Sequence, residues 1–169
     1  MGFKLSILVG VERDTGAKVS IVVPAKGTTG KYASSEVVHF LNEQGCSMTD
    51  FVIKSDQENA IKYVVDYVCV ARTGAKTINM NSPTGVKGSN GVIERAAQAV
   101  EGQLRTMKDV SDARYKQMTP AEHCIVTWLV NYVSVLFNKM GICHDGKTAE
   151  QRTRGRKSSI LGLEFGGTF

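Results

Sequence analysis

Two dense apolar runs open the chain, Leu5 to Val11 and Val19 to Val23. The polar stretch Glu12-Arg13-Asp14-Thr15-Gly16 lies between them, with glycine at its end, so the pair predicts a β-hairpin. Pro24 and the glycine-bearing stretch 27–30 end the second strand. The period then changes. Val37, Phe40 and Leu41, spaced i, i+3, i+4, predict a helix over Tyr32 to Gln44, with Gly45 as its stop. Asp50 to Lys54 reads as a short strand running into Ser55-Asp56, after which Ile61, Val64, Val65 and Val68 mark an amphipathic helix. Lys76 to Met80 alternates as a strand does.

A loop of small residues, Asn81 to Ser89, precedes a long helix with the stripe Ile93, Ala96, Ala97, Val100, Leu104 and Met107. Thr119-Pro120 predicts the start of another helix, threonine as N-cap and proline at the first helical position. Its stripe, Ile125, Trp128, Leu129, Tyr132, Val133, Leu136 and Met140, reads as core with Trp128 at its centre. A short helix near Thr148 to Arg154 and a strand-like Ile160 to Phe165 close the chain. No repeat and no low-complexity segment interrupts this order, which is that of an α/β layer domain.

Composition narrows the classes. At 169 residues, 42% hydrophobic and 22% charged, the chain fits one ordinary domain and excludes collagen-like, coiled-coil and wholly disordered classes. Cys46, Cys69, Cys124 and Cys143 form no CxxC pair, and no second pair sits at ligand spacing to Cys143-His144, so reduced thiols in an intracellular protein are expected rather than disulfides or zinc. The most apolar run, Cys124 to Phe137, is broken by Thr127, Asn131 and Ser134 and falls short of the roughly 20 residues a membrane helix needs. No membrane partner is expected. The net charge of +5 is concentrated: residues 147–157 hold Lys147, Arg152, Arg154, Arg156 and Lys157 against Glu150, which leaves +1 for all other residues. Such a cluster suits phosphate contact, nuclear import or simple solubility.

Two carboxylates stand out by position. Asp56 follows a strand, and in open α/β sheets sites form outside the carboxyl ends of strands. An N-cap role for Asp56 is the competing reading. Glu94 lies in the first turns of the long helix and shares a face with Gln98, Glu101, Arg105 and Lys108, where a solvated glutamate would also sit.

The segment Ser82-Pro83-Thr84-Gly85-Val86-Lys87-Gly88-Ser89-Asn90-Gly91-Val92-Ile93-Glu94-Arg95 joins an S-P pair, a short loop and an N-G-x-x-E-R helix start. It resembles the catalytic core of retroviral and retrotransposon integrases. Ser55-Asp56-Gln57-Glu58-Asn59-Ala60 looks like that family's second acidic site, and the 37 residues between Asp56 and Glu94 are close to the family's gap. Asp145-Gly146-Lys147-Thr148-Ala149 is a stretch common in integrases of eukaryotic retroelements. The likeness covers roughly Leu5 to Gly155.

The resemblance implies a ribonuclease H-like mixed sheet flanked by helices, with residues 1–157 as an integrase core-like domain and 158–169 as a strand-like tail. It implies Asp56 and Glu94 as catalytic residues and ligands of Mg²⁺ (or Mn²⁺), with the metals activating a water or DNA 3′-hydroxyl and stabilising the leaving oxygen. DNA is the implied partner, contacted by Lys87, Asn90, Arg95, Arg152, Arg154, Arg156 and Lys157 in a nuclear protein that forms a homodimer through its late helices. Lys87 reads equally well as a solvated lysine. The family uses a third carboxylate on its first, central strand, and the expectation here is that this strand is missing. Glu12 and Asp14 fall on the hairpin and read as turn residues. The chain is accordingly expected to lack strand-transfer activity. The alternative is a non-catalytic remnant or co-opted module of the same fold that binds nucleic acid or protein.

Overall fold

The computed structural model describes residues 5–23, 30–81 and 90–158, and shows a mixed α/β fold. Among these residues there are five helices and two two-stranded sheets. The chain divides into two compact units, residues 23–94 and residues 1–22 with 95–169. The sequence expectations for Pro24, the 27–30 stretch, the loop 82–89 with Lys87, and Ile160 to Phe165 lie outside the described residues, apart from Gly30.

In the unit that holds the chain ends, β1 (Ser6–Val11) and β2 (Lys18–Val23) pair as the predicted hairpin. Glu12 organises its turn. The carboxylate accepts the Asp14 N–H at 2.9 Å, the Thr15 N–H at 2.7 Å and the Thr15 hydroxyl at 2.5 Å. Burial pushes this carboxyl up, but the Thr15 and backbone hydrogen bonds outweigh it and hold the group below its ordinary value. Gly16 closes the turn at φ 76°, a conformation that favours glycine. Both hairpin acids are turn residues, as expected.

The same unit contains most of α3 (Gly91–Tyr115), then α4 (Cys124–Met140) and α5 (Ala149–Arg154). α4 lies along β2. The Ser20 hydroxyl donates to the Val130 carbonyl at 2.5 Å and pairs with Ser134 Oγ. The Asn138 amide brackets Lys18, accepting its N–H and donating to its C=O, each at 2.7 Å. Ile21, Val126, Leu129, Val130 and Val133 are buried around these contacts.

Two expectations for α4 are corrected. The helix starts at Cys124 with His123 as N-cap, not at Thr119-Pro120. The Thr119 N–H is drawn back to Asp112 at 2.9 Å, and Pro120 C=O accepts the His123 N–H in a separate turn. The core stripe is also rotated, to Val126, Leu129, Val130, Val133 and Ser134, leaving Trp128 71% exposed. Ser134 and Asn138 carry polar groups that β2 satisfies, so they occupy the inner face that an apolar count assigns to Trp128.

The other unit holds α1 (Gly30–Glu43), β3 (Phe51–Ser55), α2 (Asn59–Ala71) and β4 (Thr77–Asn81). β3 and β4 are parallel and in register from Phe51↔Thr77 to Ser55↔Asn81. α2 makes the right kind of crossover for such a pair, packing on both strands and on α1. Ala33, Phe40, Leu41, Val65 and Val68 are buried in this unit.

Candidate functional site

Asp56 follows the carboxyl end of β3 directly. The ladder puts Ser55 opposite Asn81 there, and Ser55 Oγ donates to Asn79 Oδ1 at 3.4 Å, so this end of the parallel pair is polar. Asp56 is exposed, and its Oδ1 accepts the adjacent Gln57 N–H at 2.7 Å. α2 begins three residues later with Glu58 as N-cap and no side-chain capping bond, so Asp56 is not the cap of that helix.

Glu94 sits in the first turn of α3 and is exposed. An acid there is favoured by the helix dipole. Among the described residues it makes no hydrogen bond or ion pair, whereas Glu101, two turns on, is paired with Arg105 at 3.3 Å. Asp56 and Glu94 fall in the same compact unit. Asn90 precedes α3 half-buried, and Arg95 follows Glu94 exposed.

No group of three or more His, Cys, Asp or Glu that could hold a metal occurs among the described residues. Asp56 and Glu94 each present a solvent-facing carboxylate, a hard oxygen donor. That suits Mg²⁺, which is commonly held by one or two carboxylates, with substrate phosphates and water completing its shell. All four cysteines are free thiols, three half-buried and Cys124 exposed. No helix among the described residues is long and apolar enough to cross a membrane.

The basic residues near the C-terminus are of two kinds. Arg152 forks onto Asp145, Nε to Oδ2 at 3.0 Å and Nη2 to Oδ1 at 2.8 Å, while its Nη1 donates to the Thr15 carbonyl at 2.9 Å. The Arg152 bond, seconded by the Lys147 N–H, holds the Asp145 carboxyl down to about 2, and the pairing raises Arg152. Arg154 reaches Glu150 at 3.5 Å, a carboxylate only 13% exposed whose Oε2 lacks a hydrogen-bond partner. Lys147, Arg156 and Lys157 are exposed.

Sequence reasoning missed the groups that hold these elements in place. Arg72, at the end of α2, is buried. It donates to Thr77 Oγ1 at 2.6 Å, to Thr49 C=O at 2.9 Å and to Cys46 C=O, and its guanidinium stacks 4.1 Å from the Phe51 ring centre. Asp50 Oδ1 accepts the Lys76 N–H at 2.7 Å beside the Phe51 N–H to Lys76 C=O bond. Together they anchor the amino end of the strand pair whose carboxyl end carries Asp56. The available signal was a lone arginine closing an apolar helix.

No protein-family model matches the sequence, and no curated protein is similar enough in sequence to count as a relative. Solved structures do share the fold. One is a chain of the simian T-cell lymphotropic virus intasome in complex with PP2A regulatory subunit B56 gamma, with a TM-score of 0.62 at 13% identity. It is matched over 98% of this chain, which spans 58% of that one. Another is the catalytic core domain of BIV integrase, with a TM-score of 0.54 at 18% identity over 90% of this chain and 87% of that one. The chain has an integrase-core-like fold.

Proposed function

We propose that this chain is a nucleic-acid-binding domain of retroelement origin, in which Asp56 and Glu94 hold a divalent cation beside a DNA phosphate. The observation that carries the reading is the placement of both acids within an integrase-like fold: Asp56 at the carboxyl end of β3, Glu94 in the first turn of α3, both exposed. Mg²⁺ or Mn²⁺, when bound, would supply Lewis-acid polarisation of the phosphate. The chain's own residues bind and orient: the carboxylates take the cation, while Asn90, Arg95 and the basic segment contact the phosphate backbone. The family's chemistry uses three carboxylates and the resemblance assigns two here, so the proposal is binding without joining of DNA ends.

The test is Mn²⁺ titration of the folded chain followed by electron paramagnetic resonance. Asp56→Asn and Glu94→Gln are each expected to weaken binding about tenfold or more, equivalent to ~1.4 kcal/mol. Unchanged affinity in both variants would sink the metal site. Mg²⁺-dependent end joining by the 169-residue chain would overturn the inactive part of the reading. A second reading, a protein-binding module, draws on the exposed apolar residues Trp128, Val135 and Ile142, and predicts no metal effect of either substitution.

A further inference from the structure

We infer that the basic segment around α5 is split into two working sets: Arg152 and Arg154 hold the protein together, and Lys147, Arg156 and Lys157 contact the phosphates of duplex DNA. The inference rests on the nucleic-acid reading above and departs from it by removing two of its residues and adding Lys147.

Arg152 has little left to offer a phosphate, because three of its five N–H donors are taken and its side chain is mostly covered. Its fork is filled by both Asp145 oxygens, its remaining amine by the Thr15 carbonyl of the hairpin turn, and the side chain is 16% exposed. A carboxylate and a phosphate compete for the same planar fork, and here the carboxylate is already in place. Asp145 is tied in turn to the Lys147 N–H at 3.1 Å, so the staple joins the hairpin, the 143–148 turn and α5. A Cβ at Gly16 would lie 3.5 Å from the Arg152 guanidinium, which shows how closely the turn fits it. Arg154 is turned along α5 toward the largely covered Glu150 carboxylate, 3.5 Å away and one turn back, so its charge is already partnered within the helix.

The other three cations make no ion pair among the described residues. Lys147 stands just before the Thr148 N-cap, and Arg156-Lys157 just after Gly155, whose φ of 70° ends the helix. The six residues of α5 rise about 9 Å, which separates the charges at its two ends enough to reach different phosphates. Contact with phosphates by three such side chains adds about 2.7 to the slope of log affinity against log salt.

The test is fluorescence anisotropy with a labelled random-sequence duplex, from low to physiological NaCl. The variant Lys147→Glu/Arg156→Glu/Lys157→Glu alters only exposed side chains and is expected to keep the wild-type melting temperature while its salt slope falls by about 2.7. Arg152→Gln is expected to do the opposite: a lower melting temperature, with wild-type affinity and slope when measured well below melting. Asp145→Asn should lower melting similarly, and the double variant by less than the sum. A triple variant with unchanged affinity, or an Arg152→Gln loss as large as the triple's, overturns this inference alone. Failure of the wild-type chain to bind DNA at any salt overturns the nucleic-acid reading as well.

Discussion

The two compact units solve the same problem, covering a two-stranded sheet, in different ways. In the hairpin unit β2 is stitched to α4 by hydrogen bonds that reach from strand backbone to helix side chain and back: Ser20 with Val130 and Ser134, Lys18 with Asn138. In the other unit the parallel pair carries apolar side chains that stay exposed, Val52 at 51%, Ile78 at 43% and Met80 at 52%. Antiparallel hairpins commonly present one face to water, but parallel strands are almost always covered on both. The hairpin is therefore stitched to its helix by polar bonds, whereas the pair that carries Asp56 is packed by α2 on one side and tied by side-chain hydrogen bonds at its amino end, through Arg72 and Asp50. Stability and the candidate site sit at different places, which leaves the exposed acids outside the packed core.

The largest effect is expected from the hairpin unit's core. Leu129→Ala should cost about 2–5 kcal/mol, because Leu129 is fully buried on the inner face of α4 and its loss leaves a cavity. Hydrogen exchange should show β2 amides losing protection while β3 amides keep theirs; equal loss in both would dissolve the distinction between the units.

Next comes Arg72→Lys. An ammonium lacks the planar fork whose two amine ends reach Thr77 on one side and Thr49 and Cys46 on the other, and it does not stack flat on Phe51, so about 1–3 kcal/mol should be lost. The exposed amides should be those of β3 and β4. A response in β2 instead would contradict the clasp.

Acid offers a smaller, graded test. Lys108, at 2.6 Å, and then Thr119 hold the Asp112 carboxyl down to about 2, as Arg152 does for Asp145. Both groups sit below their unfolded value of ~3.9, so their contribution is complete above that pH and is lost as pH falls through about 2. Both acids belong to the hairpin unit, so its melting should decline over that window more than in Asp112→Asn/Asp145→Asn, as circular dichroism melts would register.

The smallest effect should come from Ile78→Thr on the open face of the parallel pair, within about 0.5 kcal/mol. A loss above 2 kcal/mol in the melt would mean that this face is covered in solution.

Much of this architecture is legible residue by residue. The hairpin, the strand at Phe51, the amphipathic helix after it and the long helix that carries Glu94 are written in local periodicity, and the structure places them within a few residues of expectation. The position of Asp56 is legible for the same reason, since an acid after a strand and before a helix falls at a carboxyl end whatever the rest of the chain does. The start of α4 is not, because Thr119-Pro120 is a sound local cap that Asp112, on the preceding helix, diverts. Nor is the exposure of Trp128, because the phase of α4 is set by Ser20 and Lys18, more than a hundred residues away in sequence.

By itself, then, the sequence determined the order of elements, the polar turn held by Glu12, the two acids at element ends and the concentration of charge in residues 147–157. These are properties of neighbours, governed by backbone preference and side-chain period. Tertiary structure decided which face of α4 is inside, that Arg72 anchors the parallel pair, and that Arg152 is spent on Asp145 and Thr15 rather than offered to solvent. Those outcomes turn on polar groups far apart in the chain satisfying one another once buried, and no local pattern carries that pairing.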